Sequence, residues 1–242
     1  MRKIDFKAID STSTYIKNNY NDLDHLTFVS SLFQSKGKGR NTRIWQSQEG
    51  KNLLFSVLIK EQYLIDNFAS LSLLSAFCIF NVLNELNVKN VSIKWPNDVY
   101  VNDKKICGIL LEGISFDNKL QALIIGVGLN VNQDNFDNLN ATSIYLNTNT
   151  LYPINEIKEK VYNEFLLQID LLLNEKSNYL QTCREYNYLK DKEVYAFYQN
   201  KKIKVKVLDI NNDNSLKVLF KDNIFNINSG EISFHKNDES PY

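Results

Sequence analysis

Residues 91–130 read VSIKWPNDVY VNDKKICGIL LEGISFDNKL QALIIGVGLN, and this stretch decides the fold. Four apolar or alternating runs, Val91–Lys94, Val99–Val101, Ile106–Ile114 and Leu120–Leu129, are separated by turn chemistry such as Pro96-Asn97-Asp98 and Asn102-Asp103. Runs bounded in this way read as strands. Their connections are too short for parallel crossovers, which need a dozen or more residues, so antiparallel pairing is expected.

Upstream, Ile4–Ile9, Thr27–Phe33 and Asn52–Lys60 read as further strands, and Ser11 is placed to cap a helix by offering its hydroxyl to the first turn. Asn67–Leu86 reads as a helix buried on most of its surface. Gln34–Lys51 has little apolar periodicity and carries Gly37, Gly39 and Gly50. Structureless segments of that length in a compact domain are usually functional or disordered. Downstream, Ile154–Leu173 and Tyr179–Leu189 read as helices. From Glu193 the pattern changes to short strands, Val194–Ala196, Ile203–Val207, Leu216–Phe220, Ile224–Ile227 and Ile232–Phe234. The expectation is an α+β fold: a mixed, largely antiparallel sheet with helices packed on it over residues 1–190, then a small SH3-like β-barrel domain over 191–242.

The chain has 242 residues, 28 Lys plus Arg against 28 Asp plus Glu, and 43% hydrophobic residues, enough for a substantial core. Zero net charge argues against non-specific nucleic-acid binding, which depends on surplus cations neutralising phosphates. Cys78, Cys107 and Cys183 are odd in number and widely spaced. They form neither a disulfide framework nor a zinc pattern and suit a reducing compartment. Met1 to Asp5 has no apolar run of a signal peptide. Leu71–Leu83, interrupted by Ser72, Ser75 and Asn81, reads as too short and polar to cross a bilayer. A cytoplasmic protein without membrane or nucleic-acid partners is expected, monomeric or homodimeric.

Chemistry concentrates in a few places. Lys36-Gly37-Lys38-Gly39-Arg40-Asn41-Thr42-Arg43 gathers four cations and two glycines into eight residues. Arg supplies a fork for phosphate or carboxylate and Lys a point charge. The spacing is not that of a Walker loop, and a solvated basic turn is the bland alternative. Trp45 follows as a core anchor or a lid over an aromatic ligand. In Lys94-Trp95-Pro96-Asn97-Asp98 a structural turn explains the last three residues and leaves Lys94 and Trp95 over. Lys105 opens an apolar strand, where it would ordinarily guard a sheet edge. Gly108 within that strand, and Gly126 and Gly128 on one face of the next, hint at something pressing close. Gly126 to Asn132 is not a dinucleotide fingerprint. Cys107 reads as a small core residue, and His25 and His235 as ordinary surface histidines.

Taken in order, these segments resemble the biotin–protein ligases. Asp10-Ser11-Thr12-Ser13 is similar to the family's Asp-Ser-Thr-Asn, and Gln34 through Gly37-Lys38-Gly39-Arg40 to Trp45 to its Gln…Gly-Arg-Gly-Arg…Arg-x-Trp loop. Lys94 to Asp98 matches Lys-Trp-Pro-Asn-Asp, and Lys104 to Leu110 matches the Lys-hydrophobic-x-Gly-Ile-Leu strand. Gly126 to Asn132 matches Gly-x-Gly-x-Asn-x-Asn; Ala141-Thr142-Ser143 and Ser229 to Ser233 are similar to further family segments.

The resemblance implies activation of biotin by ATP to biotinyl-5'-adenylate, then transfer to a lysine of a biotin carboxyl carrier protein. It implies that Ser11, Thr12, Ser13, Gln34, Gly37, Lys38, Gly39, Arg40, Lys105 and Gly108 bind biotin, with Lys105 and Arg40 catalytic. Arg40, Arg43, Trp45, Asn97 and Asn130 would bind the nucleotide, with Trp45 stacked on adenine. Asp98 would contact Mg²⁺, and Gly108, Gly126 and Gly128 would make room for ligands. Three positions depart from the family pattern: Ser13 for Asn, Lys38 for Arg and Thr42 for Gly. Some members carry an N-terminal helix-turn-helix domain, for which a first motif at residue 11 leaves no room. The alternatives are a lipoate or octanoate ligase or transferase of the same fold, and a non-catalytic binding module. Gln133 to Leu146 lacks the nucleophilic Cys of an octanoyltransferase.

Overall fold

Every residue of Asn52–Ile59 is buried, although a half-exposed strand would alternate. A strand buried on both sides must be covered on both faces, and the arrangement around it shows how. The computed structural model describes residues 2–40, 43–137, 139–198, 201–229 and 234–235. The first unit comprises β1 (Lys3–Phe6), α1 (Thr12–Asn19), β2 (Phe28–Ser31), β3 (Asn52–Ile59), α2 (Gln62–Asp66) and α3 (Phe68–Glu85). It continues through β4 (Val91–Lys94), β5 (Asp98–Val101), β6 (Lys104–Phe116), β7 (Lys119–Asn130), α4 (Ile144–Thr148), α5 (Ile154–Leu173) and α6 (Tyr179–Glu185). Its strands form one sheet in the order β1-β2-β3-β7-β6-β5-β4. Only the β1–β2 pair is parallel, and α1 lies in its crossover, so the sheet is mixed and largely antiparallel.

Alternation along the strands sorts two cores. Phe55, Val57 and Ile59 of β3 and Leu123, Ile125, Val127 and Leu129 of β7 join the apolar residues of α3 and α5 in the main core. Leu58, Ala122 and Ile124 face the other way and pack with Ile16 of α1. On that second face the apolar run of β7 gives way to Gly126 and Gly128, and the face opens into a cavity. α3 is the one helix among the described residues long and apolar enough to cross a bilayer, with a mean hydropathy of 1.4, more than the sequence reading allowed. Its burial inside the protein identifies it as a core helix.

A second sheet follows: β8 (Glu193–Tyr198), β9 (Lys201–Ile210), β10 (Leu216–Phe220), β11 (Asn223–Ile227) and β12 (Phe234–His235), ordered β11-β10-β9-β8-β12 and antiparallel. It is a small all-β unit as expected, but no strand pairing closes it into a barrel among the described residues. Other differences are local. β1 ends at Phe6, and Ile9 is held by an isolated parallel bridge to Gln34. α6 stops at Glu185. α2 and α4, five residues each, are too short to show periodicity and are held by the caps Glu61 and Ser143. Residues 230–233, including most of the Ser229 to Ser233 segment, lie outside the described residues, as does Thr42.

Candidate active site

The cavity has a volume of about 370 Å³ and opens on the face of the large sheet shared by Ser56, Gly126, Gly128, Gly108 and Leu110. Strand register makes this floor: Gly128 pairs Gly108 on one side and Leu54 on the other, and Gly126 pairs Leu110 and Ser56. Three glycines on adjoining strands strip side chains from the middle of the sheet. Of the residues the resemblance assigns to ligands, all but Gly37 line the cavity; Lys36 of the basic loop does not, and Thr42 lies outside the described residues.

One wall is the start of α1. Ser11 is its N-cap, with extended backbone and a side chain that accepts from the Thr14 N–H. Thr12 donates its N–H (2.7 Å) and its hydroxyl (3.1 Å) to Gln34 Oε1, which locks the helix start against the strand-like segment at Gln34. The Thr12 and Ser56 hydroxyls lie 2.7 Å apart, and those of Ser11 and Ser13 3.1 Å apart. This wall is a cluster of buried hydroxyls, suited to a polar, uncharged ring. Ser56 was not anticipated; its signal was a polar residue alone between apolar neighbours in β3.

The basic loop folds back on itself as a narrow hairpin. Trp45 donates its N–H to Gly37 O (3.0 Å), and Gly39 to Arg43 O (2.8 Å). A Cβ at Gly37 would meet Trp45 O at 2.7 Å, so this glycine serves the returning backbone and not a ligand. The Gly39 N–H is likewise already spent. Lys38 forms an ion pair with Glu112 Oε1 at 3.1 Å, which ties the loop to β6. Arg40 donates to Asn97 Oδ1 (3.3 Å) and to Ser229 O (3.2 Å).

The indole of Trp45 lies on the glycine floor. A Cβ on Gly128 would fall 2.3 Å from Trp45 Cε2, and one on Gly108 2.8 Å from Cζ3. The room cleared by these two glycines is therefore taken by Trp45, a correction to the expectation that they leave it for ligands. At Gly126 the nearest atom to such a Cβ is 3.6 Å away. The Trp45 Nε1–H is buried without a hydrogen-bond partner among the described residues.

Opposite the hydroxyl wall stands the turn Lys94 to Asp98, whose Trp95–Pro96 bond is cis. Asn97 is pinned to β6: Ile109 N–H donates to its carbonyl (2.9 Å), and its side-chain amide donates to Ile109 O. Asp98 Oδ1 pairs with Lys105 Nζ at 2.7 Å. The ammonium lies 5.6 Å from the centre of the Trp45 ring, within cation–π reach. Lys94 Nζ donates to the Tyr100 hydroxyl (3.2 Å), and Tyr100 stacks on Tyr188. Burial, with Asp98 and Tyr188 adding, pushes the Tyr100 phenol well above its usual range, so it stays protonated. Asn130 donates to Thr142 O (3.0 Å), and its buried side-chain oxygen has no partner among the described residues.

Lys38, Arg40, Arg43, Lys94 and Lys105 thus line the cavity with Asp98 as the lone carboxylate among the described residues. Cations gathered round a low-dielectric hollow concentrate positive potential, and the arrangement fits a ligand with several negative charges beside a polar ring. The donor set does not fit a resident metal. Asp98 is engaged by Lys105, and no group of three His, Cys, Asp or Glu stands close enough to hold an ion among the described residues. The expected Mg²⁺ contact of Asp98 is therefore not supported. Cys107 is fully buried and its thiol is pushed far up by that burial, partly opposed by Lys105, which makes it inert as a nucleophile.

Fold and site define a domain with a cation-lined cavity on a glycine-floored sheet. Residues 6–130, more than half of the chain, match the biotin/lipoate A/B protein ligase family, and the chain belongs to that family. The chain is similar to the bifunctional ligase/repressor BirA of Bacillus subtilis (strain 168), 36% identical over 107 residues, 44% of this chain and 33% of the relative. It is similar to the biotin–[acetyl-CoA-carboxylase] ligase of Paracoccus denitrificans, 31% identical over 124 residues, 50% of this chain and 51% of the relative. The chain thus spans a third to a half of the length of these curated relatives. The solved structure of a biotin protein ligase from Aquifex aeolicus in complex with biotin and ATP superposes with a TM-score of 0.86 and 29% identity, covering 98% of this chain and 99% of that one.

Proposed function

We propose that the chain is a biotin–protein ligase that joins biotin to AMP at the expense of ATP and passes the biotinyl group to a carrier lysine. The single observation that carries this reading is the cationic lining, five Lys and Arg with one carboxylate, next to a wall of buried hydroxyls. The likeness to the Aquifex aeolicus ligase with biotin and ATP, over nearly the whole of both chains, supports the choice of ligands.

Biotin's carboxylate is already a nucleophile, so the first step needs no protein base. A carboxylate oxygen attacks the α-phosphorus of ATP, a new O–P bond forms, and the bond to pyrophosphate breaks with its electron pair leaving on that anion. The carboxylate brings in negative charge that the site must bear at three places: the entering oxygen, the equatorial phosphate oxygens and the departing pyrophosphate. Charge grows on the last two as the O–P bond forms. Fixed cations aimed at those places, needing no reorganisation, are the principal source of acceleration. Lys105, between the glycine floor and Asp98, would meet the carboxylate and α-phosphate. Arg40 has a forked guanidinium for the phosphate, while Arg43 is exposed at the rim for the leaving group. Ser11, Thr12, Ser13 and Gln34 would hold the ureido ring, and Trp45 and Asn130 the adenine. Mg²⁺ would enter as the counter-ion of ATP, held mainly by phosphates and water. In the second step a neutral lysine amine attacks the acyl carbon of the adenylate, AMP departs, and the amine loses its proton.

The acceptor is proposed to be the biotin carboxyl carrier domain of a biotin-dependent carboxylase, as the Paracoccus denitrificans relative's name suggests. Residues 1–190 would form the ligase domain and 191–242 an appended β unit. A cytoplasmic location is supported by three free, buried cysteines. Incubation with ATP, biotin and a carrier domain should add one biotinyl group to the carrier and release AMP and pyrophosphate. No mass change with biotin, but one with lipoate or octanoate, would move the chain to the other branch of its family.

A further inference from the structure

The cavity is built on the large sheet, yet two of its walls are gripped by the small one. β9 and β10 are joined by residues 211–215, a turn closed by Asn211 N–H on Ser215 O at 2.9 Å. Within it Asn214 sits at φ 66°, the left-handed region that Asn tolerates better than most residues. Its backbone carbonyl accepts the indole N–H of Trp95 at 2.9 Å, and its side-chain carbonyl accepts the Tyr179 hydroxyl at 2.7 Å. Arg184 of α6 braces the same turn, donating to Ile210 O (2.6 Å) and to Asn212 Oδ1 (2.7 Å). Trp95 is 1% exposed, lines the cavity and is followed by Pro96, Asn97 and Asp98. A second tie runs from Ser229 O through Arg40 to Asn97.

We propose that Asn214 is a positioning residue for the adenylation step. Its carbonyl fixes the orientation of the Trp95 indole, which sets the Lys94–Asp98 turn. Through Asn97 and Asp98 that turn sets Arg40 and Lys105. A buried indole N–H is costly to leave without an acceptor, so the ring has one favoured orientation while the turn of the small sheet is in place. Among the described residues the hydroxyl wall at Ser11, Thr12 and Gln34 shares no hydrogen bond with this chain of contacts, so biotin's ring site stands apart from it. The inference rests on the ligase reading.

The test compares Asn214→Asp, Asn214→Gly, Asn214→Val and Tyr179→Phe in the full chain. Asp keeps the side-chain acceptor and tolerates positive φ. Gly keeps the backbone but loses the Tyr179 anchor. Val resists positive φ and displaces the carbonyl. In biotin-dependent pyrophosphate release, kcat should fall about tenfold or more for Asn214→Val, since small misplacements of reacting groups are costly. It should fall less for Asn214→Gly and Tyr179→Phe and hold for Asn214→Asp, with KM for biotin changing less than kcat in every variant, because the ring site keeps its hydroxyl wall. Amide hydrogen exchange at residues 94–98, measured without ligands, should rise in the same order. Wild-type exchange at 94–98 in a folded Asn214→Val chain overturns the proposal, whatever its kcat, because the effect would then bypass Trp95. If Asn214→Val does not fold, exchange at 94–98 in Asn214→Gly and Tyr179→Phe decides the matter by the same criterion. Absence of pyrophosphate release by the wild-type chain would instead sink the ligase reading, with the exchange data still deciding the linkage.

Discussion

Lys105 and Gly108 lie three positions apart on β6, yet Lys105 Nζ sits 2.9 Å from the point that a Cβ on Gly108 would occupy. In an unbroken strand two residues three apart point to opposite faces. Here Val99 and Tyr100 of β5 pair with Cys107 and Lys105 of β6, so Ile106 is an extra residue. The bulge sends Ile106 and Cys107 together into the main core and turns Lys105 onto the glycine floor, beside Asp98.

Lys105→Ala should therefore lower adenylate formation by about a hundredfold or more, the usual cost of removing a group aimed at developing charge. The fold should persist, because a partly exposed ion pair contributes about 0–1 kcal/mol. Pyrophosphate release and a thermal melt check both parts. A folded variant with the wild-type rate would remove Lys105 from the mechanism.

Gly128→Ala places a methyl group 2.3 Å from Trp45 Cε2, so the indole must leave its seat. Overpacking of this kind costs about 1–3 kcal/mol. ATP affinity should weaken about tenfold or more at roughly 1.4 kcal/mol per decade, and Trp45 emission should shift. Gly126→Ala, whose added Cβ approaches nothing closer than 3.6 Å, should leave that emission unchanged. Equal spectra for wild type and Gly128→Ala would mean that the seat is unused in solution.

His25 is half-buried, and its Nδ1 accepts the Lys60 N–H at 3.1 Å. Burial holds its pKa below the ordinary 6.5, with Lys60 acting the same way and Glu61 opposing. The folded chain then binds fewer protons here than the unfolded one. This contribution to stability is complete above pH 6.5 and is lost as pH falls from there through the folded value. The urea midpoint of the wild type should drop more between about pH 7.5 and pH 5.5 than that of His25→Gln. Parallel losses in the two proteins would show that other groups govern the acid limb.

Lys38, at a position where the family resemblance implies Arg, has its ammonium tied to Glu112 at 3.1 Å. Lys38→Arg keeps that pair and adds a second donor, whereas Glu112→Gln frees the loop. With about 0.2–1 kcal/mol at stake in such a pair, the adenylate should dissociate a few-fold more slowly from Lys38→Arg. It should leave a few-fold faster from Glu112→Gln. Identical off-rates in a chase experiment would exclude the tie as a brake on release.

Much of this was legible in residue order. The four strands of residues 91–130 carried their own punctuation, the Ser11 cap its own hydroxyl, and α5 coincides with Ile154–Leu173 because its apolar spacing is regular. The cations of the site were visible because three of the five crowd into one loop. The purpose of the glycines was not. Gly37 answers a carbonyl eight residues away in the same loop, and Gly128 answers an indole 83 positions back along the chain. Neither distance leaves a periodic trace. Asn214 was silent for the same reason, since its partner is Trp95, and Ser56 showed only as a polar residue in an apolar strand, without its partner Thr12.

The residue order alone determined the antiparallel class, the split between a mixed unit and an all-β unit, and the chemistry available to the site. Those follow from local periodicity, turn residues and charge, which act over a few neighbours. Only the tertiary structure decided that Lys105 faces the cavity, that Trp45 fills the glycine floor and that the small sheet holds Trp95. These are settled by one bulge and by contacts between segments far apart in the chain, where register and packing, not propensity, choose the direction of a side chain.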